Sequence, residues 1–496
     1  MGNKNFLVKK AFLFLSFAFI LSGHVNSQRE QIHGLLKVSD NGHYLVQEDG
    51  SPFFWLGDTG WELFHRLNRN EAVGYLKKRK EQGFNVIQAV LLSEFGGLTV
   101  PNAYGSLPLI NEDLPKLKIT PGNDTTKAGE YDYWDHVDFI IKTAGELGIY
   151  IGLLPCWGEY VIPREGRAIF NTVSIAYTYG NFLGKRYHTQ KNIIWILGGD
   201  RLPDERSNGI ELWRAMAKGI ADGTNGVNDI NCKTDYSTTL MTYHCFASSS
   251  QWFQNDEWLD FNMWGSYHSD YSISKAYEQS LADWKLPDPK PTINGEPAYE
   301  EHAVNWINNN GIFTSYDVRQ IAYWSVFAGA FGHTYGCNPV WQFYDKGRIS
   351  VTFVNRYWKD ALYDEGANQM IYLKNLIESR PMAERVPDQS IISKGLGSGS
   401  NHCVATRGNN YIFVYIPTGY PVTIQMGKIS GDSVIARWYN PRTGETTAIG
   451  RYKNSGEAEF IPEGISKDIS WLKTGRGCDW VLLIDDASKG YSNPGK

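Results

Sequence analysis

Cysteine is scarce and unpatterned in this chain: there are six cysteines in 496 residues, with no C-x-x-C pair and no zinc-finger spacing. This scarcity argues against a disulfide framework and against a structural zinc site. The H-E-x-x-H motif of zinc peptidases and the G-x-S-x-G turn of serine hydrolases are missing, and no G-x-G-x-x-G follows the first predicted strand. Peptidase and dinucleotide chemistry are therefore disfavoured, and we expect neither a metal nor a cofactor.

The charge of the chain is nearly balanced, with a formal net charge of −5 and a sequence pI of about 6.2. Without a basic excess the sequence shows no electrostatic footprint for nucleic acid. Aromatic residues, in contrast, are plentiful at 14%, including 17 Trp and 29 Tyr. Such rings fill core space in any protein, but they also offer apolar faces on which sugars can stack.

An apolar run at residues 11–21 stands close to the N-terminus. Three lysines precede it, and small residues at 25–27 follow it. This is the layout of a secretory signal peptide, which we assign to residues 1–27. The run is too short to span a bilayer comfortably. We therefore expect a secreted or periplasmic protein that has no membrane contact once the signal is cleaved.

Apolar strand-like segments alternate with helical patterns, such as those at 70–82 and 133–147, over about residues 30–380. Eight strands with intervening helices predict an α/β fold, a (β/α)8 TIM barrel, rather than a doubly wound open sheet. The predicted strands are residues 53–56, 86–92, 149–155, 193–197, 240–244, 261–267, 291–294 and 330–334.

From about residue 395 the pattern changes to short strands separated by turns, which predicts a C-terminal antiparallel β-sandwich domain over residues 390–496. The connection at 381–393 is short for a free linker, so we expect the sandwich to share an apolar interface with the barrel. The predicted strands are residues 410–416, 422–426, 434–440 and 480–484.

Two of the barrel segments end in a carboxylate followed by turn residues. In NIIWILGGD the strand is apolar on both faces until Gly198 and Gly199 let the backbone turn before Asp200. The segment PTINGEP carries Glu296. Each acid alone could be a turn residue or a helix N-cap. Together at strand ends, where barrels build active sites, they match the two carboxylates that glycoside hydrolysis requires.

Other strand ends carry polar and aromatic side chains that predict the walls of a sugar-binding site. A structural role is the alternative for each; Asp58, for example, is also placed to cap the next helix. Glu94 and Glu159 follow strands too and rival Asp200 for a catalytic role. The predicted substrate-binding residues are Asp58, Trp61, Glu94, Trp157, Tyr243, His244, Trp264, His268, His333 and Trp341.

Four segments, FFWLGDTGWELFHRL, FNVIQAVLL, NIIWILGGD and PTINGEPAYE, resemble those of bacterial glycoside hydrolase family 140, the apiosidase-like enzymes. The resemblance covers nearly the whole chain after the signal. It implies a (β/α)8 catalytic domain followed by a β-sandwich that carries the label of a collagenase's collagen-binding domain. It also implies a retaining, exo-acting hydrolase that removes apiose from the pectin rhamnogalacturonan II, with Asp200 as acid/base and Glu296 as nucleophile.

The chain departs from the broader clan of retaining barrel glycosidases at one position. That clan carries Asn-Glu at the end of strand four, whereas this chain has Gly199-Asp200. The missing Asn would hydrogen-bond the hydroxyl beside the anomeric carbon. Its absence favours a glycone shaped unlike a common hexopyranose, and a branched furanose such as apiose fits that expectation.

A retaining mechanism predicts a separation of about 5–5.5 Å between the two carboxyl groups, whereas about 6.5–9.5 Å would indicate inversion. The expected partner is a pectic oligosaccharide, bound by a monomer. Three alternatives stay open: a glycosidase with another plant-polysaccharide specificity, a non-catalytic protein that binds glycan or matrix, and a peptidase. The missing peptidase motifs weigh against the last.

Overall fold

The first part of the chain is a barrel of eight parallel strands, β1 to β8, which confirms the predicted architecture. Every strand is buried along its whole length, and this explains the continuous apolar runs in the sequence. The computed structural model describes residues 1, 34–114, 116–164, 167–270, 273–463 and 477–495. The strands are β1 Trp55–Thr59, β2 Val86–Val90, β3 Tyr150–Leu154, β4 Ile193–Gly198, β5 Met241–His244, β6 Asn262–Gly265, β7 Thr292–Glu296 and β8 Gly332–Tyr335.

Backbone pairing joins six strands in the order β8-β1-β2-β3-β4-β5, and β6 and β7 form a second parallel pair. Backbone hydrogen bonds also cross the two remaining seams. Asp260 N donates to Met241 O at 2.9 Å, and Phe331 N donates to Thr292 O at 3.1 Å. The strands therefore curl into a ring that places all their carboxyl ends at one rim.

Long helices α1 to α7 surround the ring, and side chains cap the N-termini of α1, α2, α3 and α6. The side chains of Asn68 and Glu71 accept each other's backbone N–H at the start of α1, and Asp132 and Asp135 do the same at α2. Such capping boxes satisfy N–H groups that have no partner within the helix. The long helices are α1 Arg69–Glu81, α2 Tyr133–Glu146, α3 Val173–Tyr187, α4 Gly209–Thr224, α5 Lys275–Trp284, α6 Ser315–Phe327 and α7 Glu365–Glu378.

Shorter helical segments fill the loops of the barrel and the start of the second domain. After β5 the described chain forms a four-residue helix in place of a long one. The short α-helices are Leu63–Arg66, Ser250–Phe253, Asn338–Trp341 and Trp358–Ala361, and the short 3-10 helices are Gly158–Tyr160, Val304–Trp306, Asn308–Asn310, Met382–Glu384, Gln389–Ile391 and Gly399–Asn401.

The first barrel strand begins two residues later than predicted. Phe53 belongs instead to a small antiparallel sheet that precedes the barrel, where it pairs with Leu45. The strand then continues through Asp58 and Thr59, which are fully buried although both are polar. The sequence pattern missed this because a buried polar residue interrupts an apolar run. The small sheet comprises Lys37–Val38, Leu45–Val46 and Pro52–Phe53.

The second part of the chain is an antiparallel β-sandwich, as the sequence predicts. A six-stranded sheet in the order β9-β11-β12-β17-β14-β15 faces a three-stranded sheet in the order β10-β13-β16. The strands are β9 Val386–Pro387, β10 Ile392–Lys394, β11 Val404–Arg407, β12 Tyr411–Ile416, β13 Val422–Gln425, β14 Ser433–Tyr439, β15 Thr446–Lys453, β16 Glu457–Phe460 and β17 Trp480–Asp486.

The strand β12, inside the six-stranded sheet, is buried on both faces. Along β12, Ile412, Val414 and Ile416 join the sandwich core, whereas Phe413 and Tyr415 belong to the core of the barrel. This alternation follows the two-residue period of a strand. The Tyr415 ring stacks on that of Tyr323 in α6, with 4.9 Å between centroids. The expected apolar interface between the two domains is therefore present.

The cysteines are all free thiols. Cys156, Cys245, Cys337 and Cys403 are buried and pack as small apolar side chains. Apart from Met1, the predicted signal peptide lies outside the described residues. In the part of the chain that is described, no helix combines the length and the apolar character needed to cross a membrane.

Candidate active site

A pocket opens at the carboxyl rim of the barrel and contains both candidate acids. Its cavity volume is about 130 Å³, below the roughly 300–1,000 Å³ that is usual for small-molecule sites. Its walls come from the segments that follow all eight strands. The lining residues are Trp61, Glu94, Phe95, Trp157, Asp200, Phe246, Tyr267, His268, Glu296, Tyr299, His302, Trp306, Trp341, Val351 and Thr352.

Asp200 reaches the pocket because two glycines bend the chain at the end of β4. Gly198 and Gly199 have φ values of +92° and +124°, a region in which side chains are strained. A Cβ on Gly198 would also meet the His244 carbonyl oxygen at 2.3 Å. Asp200 itself has a φ of +55°, which is uncommon outside glycine. Its Oδ1 accepts a hydrogen bond from the Tyr267 hydroxyl at 3.0 Å.

Glu296 ends β7 and is 5% exposed. His244 Nε2 lies 3.1 Å from its Oε2, and His268 Nε2 lies 3.6 Å from its Oε1. The first contact has angles that are poor for a hydrogen bond, so its contribution is mainly electrostatic. Tyr299 N donates to His268 Nδ1 at 3.3 Å. The His268 ring therefore carries its proton on Nε2, facing the Glu296 carboxylate.

The two acids are close enough to oppose each other's ionisation. One oxygen of Asp200, one of Glu296 and one nitrogen of His244 lie within 4.8 Å of one another. Burial and the Glu296 charge raise the pKa of Asp200 to about 7. Burial by itself would raise the pKa of Glu296, but His244 and His268 hold it well below its ordinary value. The pair is thus set for a protonated Asp200 and an ionised Glu296.

His244 is fully buried beside both acids. Burial lowers its pKa, but the Glu296 and Asp200 carboxylates outweigh burial, so that the net shift is upward. The two carboxylates thus favour the protonated form of this imidazole, and its charge would in turn favour their ionised forms. This residue therefore contacts the catalytic pair, although it does not line the open pocket.

Glu94, in the loop after β2, is a third carboxyl group on the pocket wall. Burial and then the Asp200 charge raise its pKa to about 9. The group is consequently neutral near pH 7, and a neutral carboxyl can donate as well as accept a hydrogen bond. These properties suit Glu94 to binding a sugar hydroxyl and not to nucleophilic attack.

His302, in the loop after β7, contributes a neutral acceptor. Its Nδ1 lies 2.8 Å from the Ala303 carbonyl oxygen, and because a carbonyl only accepts, the proton sits on Nδ1. Burial and the neighbouring His268 lower the pKa of His302 to about 3. Its Nε2 therefore remains an acceptor at neutral pH.

Besides His244, four predicted substrate-binding residues lie away from the pocket lining and are 0–1% exposed: Asp58, Tyr243, Trp264 and His333. All four are located inside strands and not beyond their ends. The Oδ2 of Asp58 accepts hydrogen bonds from the Tyr75 hydroxyl at 2.5 Å and from Arg79 Nε at 2.7 Å. Asp58 therefore neutralises a buried arginine. It caps neither of the next two helices, because Glu62 is the N-cap of Leu63–Arg66 and Asn68 is the N-cap of α1.

The other three have packing roles as well. The Tyr243 hydroxyl donates to Arg201 O at 3.0 Å, and Trp264 Nε1 donates to Thr292 Oγ1 at 3.1 Å. Burial lowers the pKa of His333 to about 3, so this histidine is neutral in the core. These three side chains are buried and do not line the pocket, so their positions give no support for contact with substrate.

The rival acid Glu159 is held by an arginine outside the pocket lining. Arg201 Nε donates to Glu159 Oε2 at 2.9 Å, and Nη2 of the same arginine contacts the same oxygen. This ion pair engages the Glu159 carboxylate, which does not line the pocket. The geometry therefore favours Asp200 over Glu159 as the acid.

Five of the predicted substrate-binding residues do line the pocket: Trp61, Glu94, Trp157, His268 and Trp341. The sequence interpretation missed others, chiefly Phe95, Phe246, Tyr299, His302 and Trp306. Tyr299 and His302 follow Glu296 by three and six residues, so the rule that sites form beyond strand ends could have found them. The remaining three lie on loops whose course no local pattern indicates.

Two groups of side chains among the described residues have metal-ligand spacing. The first is the catalytic pair with His244. The second is Glu301, Cys337 and Asp364, but Arg356 Nε donates to Glu301 Oε2 at 3.1 Å and its Nη2 contacts Asp364. A guanidinium already neutralises that second group, so it does not fit a metal ion.

Family comparisons agree with this architecture. The apiosidase-like catalytic domain matches residues 39–384, and a family described as "Putative collagen-binding domain of a collagenase" matches residues 386–485. No curated protein matches the chain.

Two solved structures extend the likeness over nearly the full length. One, described as a glycoside hydrolase, is 38% identical with a TM-score of 0.81, covering 92% of this chain and 98% of the other. A family 5 glycoside hydrolase from Bacteroides vulgatus is 36% identical with a TM-score of 0.80, covering 93% of this chain and 95% of the other. These matches, together with a pocket that holds two carboxyl groups, show that the chain belongs to the apiosidase-like family and is a glycoside hydrolase.

Proposed function

We propose that the protein is a retaining, exo-acting apiosidase of glycoside hydrolase family 140, which releases apiose from the side chains of the pectin rhamnogalacturonan II. The observation that carries the mechanism is the approach of the Asp200 and Glu296 carboxyl oxygens to within 4.8 Å. Inverting enzymes leave about 6.5–9.5 Å for an attacking water, whereas retaining enzymes hold the groups about 5–5.5 Å apart. The family match supports the choice of sugar.

The reaction proceeds by double displacement. The Glu296 carboxylate attacks the anomeric carbon while the bond to the leaving oxygen breaks, and Asp200 gives its proton to that oxygen. A glycosyl ester on Glu296 results. Asp200, now ionised, takes a proton from water, and the oxygen of that water attacks the same carbon and returns Glu296 as a carboxylate.

The dimensions of the site support exo action. A cavity of about 130 Å³ has room for one small ring next to the acids and not for an extended chain. A terminal sugar can enter such a pocket, whereas an internal residue of a polymer would need a groove that is open at both ends.

Polar groups on the wall support recognition of a hydroxyl-rich ring. Neutral Glu94 can donate to a sugar oxygen, and His302 Nε2 can accept from a sugar hydroxyl. The short acid Asp200, where related barrel enzymes carry Asn-Glu, supports a glycone with the shape of a branched furanose. Apiose meets both conditions.

A substrate panel tests the proposal. Purified protein is incubated with rhamnogalacturonan II oligosaccharides, other plant oligosaccharides and gelatin, and released monosaccharides and peptides are identified by chromatography and mass spectrometry. We expect free apiose from the first and nothing from gelatin, with Glu296→Gln as the inactive control. Release of a different sugar would agree with glycosidase activity but would refute specificity for apiose. Cleavage of gelatin alone would refute both claims.

The stereochemistry of the first-formed product tests the mechanism separately. Proton NMR recorded during the first minutes of hydrolysis should show the released sugar with the anomeric configuration of the substrate, before mutarotation. The opposite anomer would mean a single displacement by water and would remove Glu296 from the role of nucleophile.

The predicted signal peptide supports export to the periplasm or the cell exterior, where pectin fragments are met. We propose that the exported enzyme acts as a monomer. Cell fractionation and light scattering of the purified protein examine these two points.

A further inference from the structure

Two aromatic side chains at the mouth of the pocket are far more exposed than those around the acids. Trp306, in the loop after β7, is 52% exposed, and Phe95, in the loop after β2, is 39% exposed. Trp61, Trp157 and Tyr299 are exposed by 5%, 4% and 1%. The lining therefore grades from buried rings on the floor to open rings at the rim.

The loop that carries Trp306 is held in an unusual conformation. Asn305 and Trp306 have φ values of +57° and +58°, which residues other than glycine rarely adopt. Asn305 N donates to His268 O at 2.8 Å, and its Nδ2 donates to Asp270 Oδ1 at 3.1 Å. The Trp306 ring meets the His268 ring edge-on, with 5.4 Å between centroids. These contacts fix the indole while leaving half of its surface open.

Folding alone does not account for this arrangement. A half-exposed indole leaves apolar surface in water, and two consecutive left-handed residues add backbone strain. Neither feature stabilises the native state. Strain and exposed apolar surface beside a catalytic pocket are instead typical of a surface that a ligand covers.

The shape of the pocket decides which part of a substrate reaches these rings. The sugar to be released must lie at the floor between Asp200 and Glu296, so the leaving group must point toward the mouth. We propose that Trp306 and Phe95 form a leaving-group subsite that holds a second sugar ring by stacking on its apolar face. This inference rests on the proposed glycosidase function, and it predicts that the enzyme hydrolyses oligosaccharides more efficiently than glycosides of small alcohols.

The loops that carry Phe95 and Trp306 are placed to hold a sugar ring between them. β2 and β7 are three strands apart around the ring, so their loops approach the mouth from different sides. The Phe95 ring packs against Trp341 with 6.0 Å between centroids, which gives it a support of its own. Binding energy from a ring held at the rim can be used to position the bond at the floor, so its loss lowers turnover as well as affinity.

Paired substrates test the subsite. For whichever sugar the wild-type enzyme releases, kcat/KM is measured on a disaccharide and on the methyl glycoside of that sugar. Trp306→Ala should lower kcat/KM on the disaccharide about 10- to 100-fold, as expected for the loss of one stacked ring, and change the methyl glycoside little. Phe95→Ala should show the same pattern, and Trp306→Phe should retain most activity.

Tyr363→Ala provides the matched control, since it removes a ring that is 63% exposed and outside the pocket lining; both activities should stay at the wild-type level. Losses that are equal on the two substrates, in variants with an unchanged melting temperature, would overturn the subsite because the defect would then lie in the pocket floor. If the wild-type enzyme hydrolyses no glycoside, the proposed function fails first and the subsite fails with it. A loss confined to the disaccharide supports both.

Discussion

Two aspartates in different regions of the protein have opposite surroundings. At the interface between barrel and sandwich, Asp479 is paired with Arg319 Nε at 2.7 Å and with Arg442 Nη1 at 2.9 Å. Burial raises its pKa, but the two arginines outweigh burial and the net shift is downward. In the pocket, the neighbours of Asp200 are the phenol of Tyr267 and the carboxylate of Glu296, and its pKa is raised.

The comparison distinguishes carboxylates that stabilise the domain interface from carboxyl groups that can react in the pocket. At the interface Asp485, like Asp479, meets guanidinium groups: it contacts Arg380 at 2.8 Å and Arg437 at 2.9 Å. The ion pairs with Arg319 and Arg380 link the sandwich to the barrel. In the pocket the carboxyl groups exceed the cations, so one of them holds a proton near neutral pH. That imbalance costs stability and makes acid catalysis available.

The largest effect is expected from removing the pocket's nucleophile. Glu296→Gln should lower kcat/KM by roughly 10⁴-fold or more, as is usual when the nucleophile of a catalytic group is lost. The loss should extend to substrates with good leaving groups, because no glycosyl ester can form. Steady-state kinetics on an oligosaccharide and an aryl glycoside measure it. Substantial residual activity on either substrate would show that Glu296 is not the nucleophile.

Asp200→Asn should lower turnover of the natural substrate by about 10²–10⁴-fold, the usual contribution of a general acid. An aryl glycoside needs little protonation, so its first step should survive, and added azide should then release a glycosyl azide. Burst kinetics and product analysis record both effects. Wild-type activity in this variant would make Glu94 the next candidate for the acid, with Glu94→Gln as the corresponding experiment.

At the interface, Asp479→Asn should lower the free energy of unfolding by about 3–5 kcal/mol, because it leaves buried Arg319 without a counter-charge. In protein that remains folded, kcat/KM should not change. Denaturant unfolding and kinetics on the same preparation measure the two quantities. Breaking the exposed pair Lys394–Glu457 with Lys394→Ala is the control, expected to cost less than about 1 kcal/mol. A fall in activity without a fall in stability would contradict the structural role.

The smallest effect is a pH dependence that only the pocket should show. Activity requires Asp200 protonated, so kcat/KM should fall as pH rises through its pKa of about 7. The acidic limb should lie well below this, since the pKa of Glu296 is lowered and attack fails only when that group is protonated. In Glu296→Gln the like charge is gone, and a carboxyl NMR titration should find the pKa of Asp200 lowered. An unchanged value would refute the coupling.

Much of the fold could be predicted from the local pattern of apolar and polar residues in the sequence. Barrel strands such as Ile193–Gly198 could be predicted because a parallel strand covered on both sides is often apolar along its length. More polar strands such as Thr292–Glu296 could be placed because strands and helices alternate regularly along the chain. The sandwich could be predicted because its strands are short and separated by turns. The candidate acids Asp200 and Glu296 could be proposed because each stands where an apolar strand gives way to turn residues. These signals are local, so the order of residues is sufficient to reveal them.

The environment of each side chain was decided by the tertiary structure. Asp58 and Asp200 both belong to a Gly-Asp pair near the end of a strand, yet one neutralises Arg79 in the core and the other lines the pocket. The difference arises because Asp58 remains inside its strand, whereas Gly198 and Gly199 carry Asp200 beyond it. Trp306 and Phe95 are brought to one mouth by ring closure. Burial and charge depend on such distant neighbours, and only the folded chain brings them together.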